Sequence, residues 1–241
     1  MFKPPLVQLH KINNTNYKEV WDLQKTLQRS LIQNKRKKAG KDAFIQMINP
    51  SGHFILCEHK PVYTLGKSGS LDHLLMNHDE LKSQEIEFFK INRGGDITFH
   101  GPGQITGYLI LDLDDYYHDV HKYVRDIEEA IIRFLAKFDI QGKRIKDFTG
   151  VWIEDEKGQR KICAIGVHMS RWVSLHGFAL NINTNLDYFK NIVPCGINEE
   201  NKDVTNLSIE KGEHIKIEEI QSELQDSFAE VFGFELLKII S

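Results

Sequence analysis

The stretch VWIEDEKGQRKICAIGVHMSRWVSLHGFALNIN, residues 151–183, sets the fold class. Val151 to Glu154, Lys161 to Met169 and Val173 to Asn183 read as three strands, with Asp155-Glu156-Lys157-Gly158 as the first turn. Strands in this order predict a mixed, mostly antiparallel sheet.

Working outward, Val120, Val124, Ile127, Ile131, Phe134 and Phe138 recur at helical spacing, enough to cover one face of that sheet. A second helix is predicted over about 217–232, where Ile220, Leu224, Phe228 and Val231 share a face and Gly233 stops it. A third, over about 16–38, follows the capping candidates Asn14-Thr15-Asn16 and places Val20, Leu23, Leu27 and Leu31 together. It ends in the basic run Lys35-Arg36-Lys37-Lys38, with Lys41 beyond and Gly40 as a stop. Phe44 to Ile48 and Phe54 to Glu58 flank Asn49-Pro50-Ser51-Gly52 and predict a β-hairpin. Glu87 to Asn92 and Gln104 to Asp112 are further strands. Between them lies Arg93-Gly94-Gly95-Asp96-Ile97-Thr98-Phe99-His100-Gly101-Pro102-Gly103, too glycine-rich for one uniform strand and expected at a sheet edge or turn. The expected architecture is a single α/β (α+β) domain over 1–241, its sheet flanked by helices, with a motif-bearing core over about 44–207.

Composition narrows the class. At 241 residues, with 41% hydrophobic and 27% charged residues, the chain matches one globular domain. No run nears the ~18 apolar residues of a membrane span, and the N-terminus lacks a signal-peptide pattern, so the cytoplasm is expected and no membrane. The net charge of -3 argues against a nucleic-acid binder. Three cysteines, Cys57, Cys163 and Cys195, leave at least one free thiol. His118 with His121, and Cys57 with His59, form no complete ligand set, so neither a metal nor another cofactor is expected.

Cys195 sits in Val193-Pro194-Cys195-Gly196-Ile197, where proline and glycine shape the backbone around a good nucleophile. Alone that signal is weak, because free cysteines are often inert small hydrophobes. A thiol nucleophile needs a cation to lower its pKa, and Lys161, opening the apolar run Ile162-Cys163-Ala164-Ile165-Gly166, is the candidate. Lys161 also reads as an exposed strand-end lysine, and spacing alone does not bring the two residues together.

The run Arg93 to Gln104 resembles the signature of the lipoyl/octanoyl transferase family, within the wider biotin and lipoate ligase superfamily. Lys161 to Gly166, His176-Gly177-Phe178-Ala179-Leu180-Asn181 and Ile192 to Ile197 resemble the family's later motifs in the same order, over roughly Gly66 to Leu207. Cys163 stands where the family pattern commonly has alanine, and Asn206 where it has serine. The resemblance implies a biotin/lipoate protein ligase-like fold, with Cys195 as acyl-accepting nucleophile and Lys161 as the residue that tunes it and moves protons. It implies an acyl pocket lined by Arg93, Gly94, Gly95, Asp96, Ile97, Thr98, Phe99, His100, Ala164, Ile165, Gly166, Gly177, Phe178 and Ala179. It further implies octanoyl-acyl carrier protein as donor, and as acceptors the lipoyl domains of 2-oxoacid dehydrogenase E2 subunits and the glycine cleavage H protein. Gly177 or groups near Cys195 would donate to the oxyanion, Cys163 would be buried and unreactive, and the Lys35 to Lys38 end is either a solvated helix terminus or a dock for an acidic carrier. Three other readings remain at this point: an ATP-dependent lipoate or biotin ligase, an amidotransferase between lipoyl-bearing domains, and a non-catalytic carrier-binding module.

Overall fold

The computed structural model describes residues 3–38, 50–193 and 202–237. In chain order the elements are β1 (Leu6–Thr15), α1 (Tyr17–Lys38), β2 (Gly52–His59), β3 (Val62–Leu65), α2 (His78–Ser83), β4 (Glu87–Lys90), β5 (Ile97–His100), β6 (Gln104–Leu111), α3 (Val120–Ala136), β7 (Lys143–Ile145), β8 (Phe148–Asp155), β9 (Gly158–Ser170), β10 (Val173–Asn181), β11 (Lys202–Val204), α4 (Leu207–Lys211), α5 (Ile217–Phe232) and β12 (Glu235–Leu237).

The main sheet runs β12-β1-β2-β6-β10-β9-β8-β7, with β11 added beside β9. The bonds from β2 through β6, β10, β9, β8 and β7 are antiparallel, and those joining β1 to β2, β1 to β12 and β11 to β9 are parallel. This is the expected mixed, mostly antiparallel sheet. Its two faces follow from strand alternation. Phe54, Leu56, Leu109, Leu111, Phe178 and Leu180 face the cluster formed with α3 and α5, whereas Ile55, Cys57, Tyr108, Ile110, Val173 and Leu175 face α1. Covered on both sides, β10 is buried along its whole length.

Helix α5 spans the predicted residues and stops at Gly233, whose positive φ of 69° lets its N–H reach Ala229 O at 2.8 Å. The glycine-rich motif contains β5, the edge strand of a separate three-stranded sheet ordered β4-β3-β5. Phe44 to Ile48 lies outside the described residues, and both edges of β2 are already occupied, by β1 and β6. Gly40 and Lys41 also lie outside them. Lys35 is not a solvated terminus: its ammonium contacts Asp112 at 2.8 Å and Asp114 at 2.7 Å and donates to Arg171 O at 2.9 Å. No helix among the described residues is long and apolar enough to cross a membrane.

The sheet leaves one gap. β10 pairs with β6 at Gly177–Tyr108 and meets the chain again at Val173–Asp112, but between these two points the ladder opens. Ser174 Oγ fills the interval by donating to Leu109 O at 2.7 Å and accepting from Leu111 N at 2.8 Å. Two glutamines of α1 complete the repair: Gln28 Nε2 donates to Val173 O at 2.9 Å, and Gln24 Oε1 accepts the His176 N–H at 3.1 Å. Helix α1 is therefore joined to the sheet by polar bonds as well as by its apolar stripe.

Candidate active site

The glycine-rich motif is locked to the sheets before it offers anything to a ligand. Buried Arg93 donates from Nη2 to Thr64 O at 2.6 Å and Thr64 Oγ1 at 3.1 Å, and from Nη1 to Gly94 O at 3.0 Å. Gly94 N donates to Val167 O at 2.9 Å, on the edge of β9 that faces away from β10. That approach demands bare backbone: a Cβ on Gly166 would stand 2.8 Å from Gly94 O and 3.0 Å from Arg93 Cδ. Asp96 accepts the Ile97 N–H at 2.7 Å and contacts His73 Nδ1.

From His100 a chain of hydrogen bonds leads to Lys161. Thr64 Oγ1 lies 3.2 Å from His100 Nε2, and His100 Nδ1 donates to Gln104 Oε1 at 2.9 Å. Gln104 Nε2 donates to Asn181 Oδ1 at 2.9 Å, Asn181 Nδ2 to Thr205 O at 3.0 Å, and Thr205 N to Lys161 O at 3.0 Å. Three motifs that are far apart in sequence are thus tied together by side chains. Burial holds His100 well below the ordinary histidine pKa, so it is a neutral ring. It stacks on Tyr17 of α1 with centroids 5.8 Å apart. His176, with φ of 65°, is pushed down to about 3, chiefly by burial and then by Arg93, and its Nε2 donates to Asn92 Oδ1 at 2.8 Å.

These residues enclose a cavity of about 340 Å³. Of the positions singled out from sequence, Arg93, Gly94, Gly95, Asp96, Ile97, Thr98, His100, Lys161, Ala164, Ile165, Gly166, Gly177, Phe178 and Ala179 line it. Phe99 does not. It is fully buried in the core of the small sheet, stacked on Tyr188 at 4.2 Å, because alternation along β5 turns it away from Thr98 and His100. Cys195, with Pro194, Gly196 and Ile197, lies outside the described residues. Of the nearest described positions, Val193 N donates to His73 O at 2.8 Å, and Val204 lines the cavity beside Lys161. Gly177 is paired on both sides, with Gly166 and Tyr108, so its N–H belongs to the sheet.

Among the cavity residues that sequence reasoning missed are Tyr17, Thr106, Tyr108 and His176. Thr106 and Tyr108 alternate with core positions along β6 and were readable from that pattern; Tyr17 gave no signal. Cys163 is fully buried, and burial raises its thiol pKa far above the ordinary range. Asn206 caps α4 by accepting the Ile209 N–H at 2.8 Å, a role serine also fills, and its Nδ2 adds a bond to Thr184 O at 2.9 Å.

Residues 16–229 match the lipoyl protein ligase A/B catalytic domain. The chain belongs to that family. It is 47% identical to the octanoyltransferase of Christiangramia forsetii over 232 residues, covering 95% of this chain and 97% of that protein. It is 46% identical to the octanoyltransferase of Flavobacterium psychrophilum, covering 94% and 96% respectively. Among solved structures, lipoate-protein ligase A bound with ATP aligns at a TM-score of 0.64 and 14% identity, over 99% of this chain and 90% of that one. A bipartite lipoate protein ligase from Thermoplasma acidophilum aligns at 0.66 and 16%, over 99% and 89%. At such low identity these two establish the shared ligase-like fold.

Proposed function

We propose that the chain is an octanoyltransferase working through a covalent acyl-enzyme. The Cys195 thiolate attacks the octanoyl thioester of an acyl carrier protein, expelling the carrier thiol and leaving an octanoyl thioester on the enzyme. The ε-amine of a lipoyl-domain lysine then attacks, forming the amide and returning the thiolate. Lys161 as an ammonium stabilises the thiolate and gives its proton to the departing carrier sulfur in the first step; left neutral, it takes the amine proton in the second. Because the donor thioester supplies the driving force, the reaction consumes no nucleotide.

The observation that carries this reading is the single cavity on which Lys161 and the glycine-rich motif both open. Near-full-length relatives named octanoyltransferase support it. The edge of β9 offers an oxyanion donor in place of Gly177: by strand alternation with Val167, whose carbonyl points to Gly94, the Ile165 N–H points the same way.

Intact mass spectrometry tests the proposal. Wild-type, Cys195→Ala and Lys161→Ala proteins are mixed with octanoyl-acyl carrier protein, and an apo-lipoyl domain is then added. An octanoyl adduct on wild type, lost in Cys195→Ala, slowed in Lys161→Ala and discharged without ATP is the expected result. Transfer that requires free octanoate and ATP would replace this reading with a ligase.

A further inference from the structure

Lys161 lines the cavity at the point where β9 breaks its own alternation. Val151 of β8 pairs with Cys163, and the next residue, Trp152, pairs with Lys161, so Ile162 is an extra residue on β9. Regular pairing would set Trp152 opposite Ile162 and Ile153 opposite Lys161. Cys163 faces the core under α3 and α5, and a strict two-residue period would turn Lys161 into that apolar core. The bulge absorbs one residue: Ile162 and Cys163 are both fully buried in that core, and Lys161 comes out beside Trp152.

The neighbours of Lys161 are arranged to receive it. Its Nζ lies 4.6 Å from the centroid of the Trp152 ring. That ring is fully buried, donates from Nε1 to Phe148 O at 3.3 Å and meets the Phe148 ring edge-on. Gly150 leaves its side open: an added Cβ would lie 3.7 Å from Lys161 Cδ and 2.5 Å from Cys163 O. We infer that Trp152 is a positioning residue for the proposed transferase chemistry, its indole face holding the Lys161 ammonium at the cavity while the Ile162 bulge sets the two side by side.

An indole face attracts an ammonium and not an amine, so Trp152 favours the charged form that stabilises a thiolate. Other charged groups on the elements packed around Lys161 are Lys143 on β7, Asp147 in the β7–β8 turn, Glu128 on α3, and Lys202 and Asp203 on β11. Glu128 is bound by Arg125, Arg144 and the Gly150 N–H, Lys143 by Glu154, and Lys202 lies over Phe148. The indole face is a contact of the ammonium that a single substitution removes without changing charge.

This inference rests on the transferase reading, and one experiment separates their failures. The rate of Cys195 alkylation by iodoacetamide is measured against pH in wild type, Lys161→Ala, Trp152→Leu, Trp152→Met and Trp152→Phe, with folding checked by circular dichroism. Loss of the ring is expected to raise the apparent thiol pKa by about half to one pH unit, which slows alkylation near neutral pH by roughly 3- to 10-fold. Trp152→Phe should recover part of the shift, and Trp152→Met should shift like Trp152→Leu, its adaptable side chain guarding against collapse of the site. In the Lys161→Ala background, Trp152→Met should add nothing. If Lys161→Ala shifts the profile and both non-aromatic Trp152 variants match wild type, the positioning role is wrong. If Lys161→Ala itself leaves the profile unmoved, the assignment of Lys161 fails and this inference falls with it.

Discussion

Replacing Gln104 by leucine removes the node through which the glycine-rich motif communicates with Lys161. The wild-type side chain is 1% exposed and uses both ends, accepting from His100 Nδ1 and donating to Phe99 O and Asn181 Oδ1. Leucine fills similar space, so the cavity term is small and the loss comes from three polar partners left buried and unpaired. Each costs about 1–3 kcal/mol, and partial relaxation brings the expected total to about 3–5 kcal/mol. Urea unfolding followed by tryptophan fluorescence measures it, with a lowered midpoint and an unchanged m-value expected. The double variant with Asn181→Leu should lose less than the sum of the single losses, because each change already breaks the shared bond. A loss below about 1 kcal/mol, typical of a surface site, would refute the reasoning: the chain from His100 to Lys161 would then be replaceable by water.

Two further outcomes follow from the same geometry. If the cavity is an acyl slot, shortening the donor from octanoyl to hexanoyl removes two methylenes worth about 0.8 kcal/mol each, a fall of roughly 15-fold in kcat/KM; equal rates for the two donors would place the chain elsewhere. The buried histidines make the fold acid-sensitive. His59 is lowered to about 4 and His176 to about 3, and His100 lies well below its ordinary value, each first through desolvation. The unfolded chain binds protons near pH 6.5 and the native state does not, so stability is complete above pH 7 and falls as pH drops toward the folded values. From pH 7 to pH 5 His59 and His176 each contribute a loss of about 2 kcal/mol, roughly 4 kcal/mol together, and His100 adds to it in the same direction. Urea titrations at half-unit intervals read this slope directly, and a flat profile between pH 7 and 5 would show that these rings are protonated in the native state.

The parts of the fold that the sequence made legible are those with long, clean periodicity. Helix α3 and helix α5 carry unbroken apolar stripes, and β8 to β10 are long enough to declare themselves. Strand β1 was missed because Gln8, His10 and Lys11 interrupt its apolar residues, although Val7 and Leu9 are buried on one face. β3 and β12 are four and three residues long and fall below any useful window. Turn chemistry at Asn49-Pro50-Ser51-Gly52 says where the chain bends and not that β2 will lie between β1 and β6. At the site, motif order located fourteen of the twenty-seven cavity-lining positions, whereas Phe99 was swept in because a motif records residues together and alternation separates them. The Ile162 bulge could not be read from sequence, since Lys161 to Gly166 looks like ordinary strand until Trp152 is seen to pair with Lys161. Gln24 and Gln28 passed as polar interruptions of an apolar helix because only their partners in β10 give them purpose.

Those two glutamines also set an order of events during synthesis. They bond to residues 145 and 152 positions further along the chain. As the polypeptide emerges from a ribosome, α1 is available well before its sheet partners in β10, which follow it by about 150 residues. Until then Tyr17 has no His100 to stack on, the gap between β6 and β10 has no filler, and α1 must wait with an apolar stripe uncovered. The cavity is thus closed late by a helix made well before β10, and a nascent chain cut short before β10 would present a surface suited to chaperone capture and no completed site.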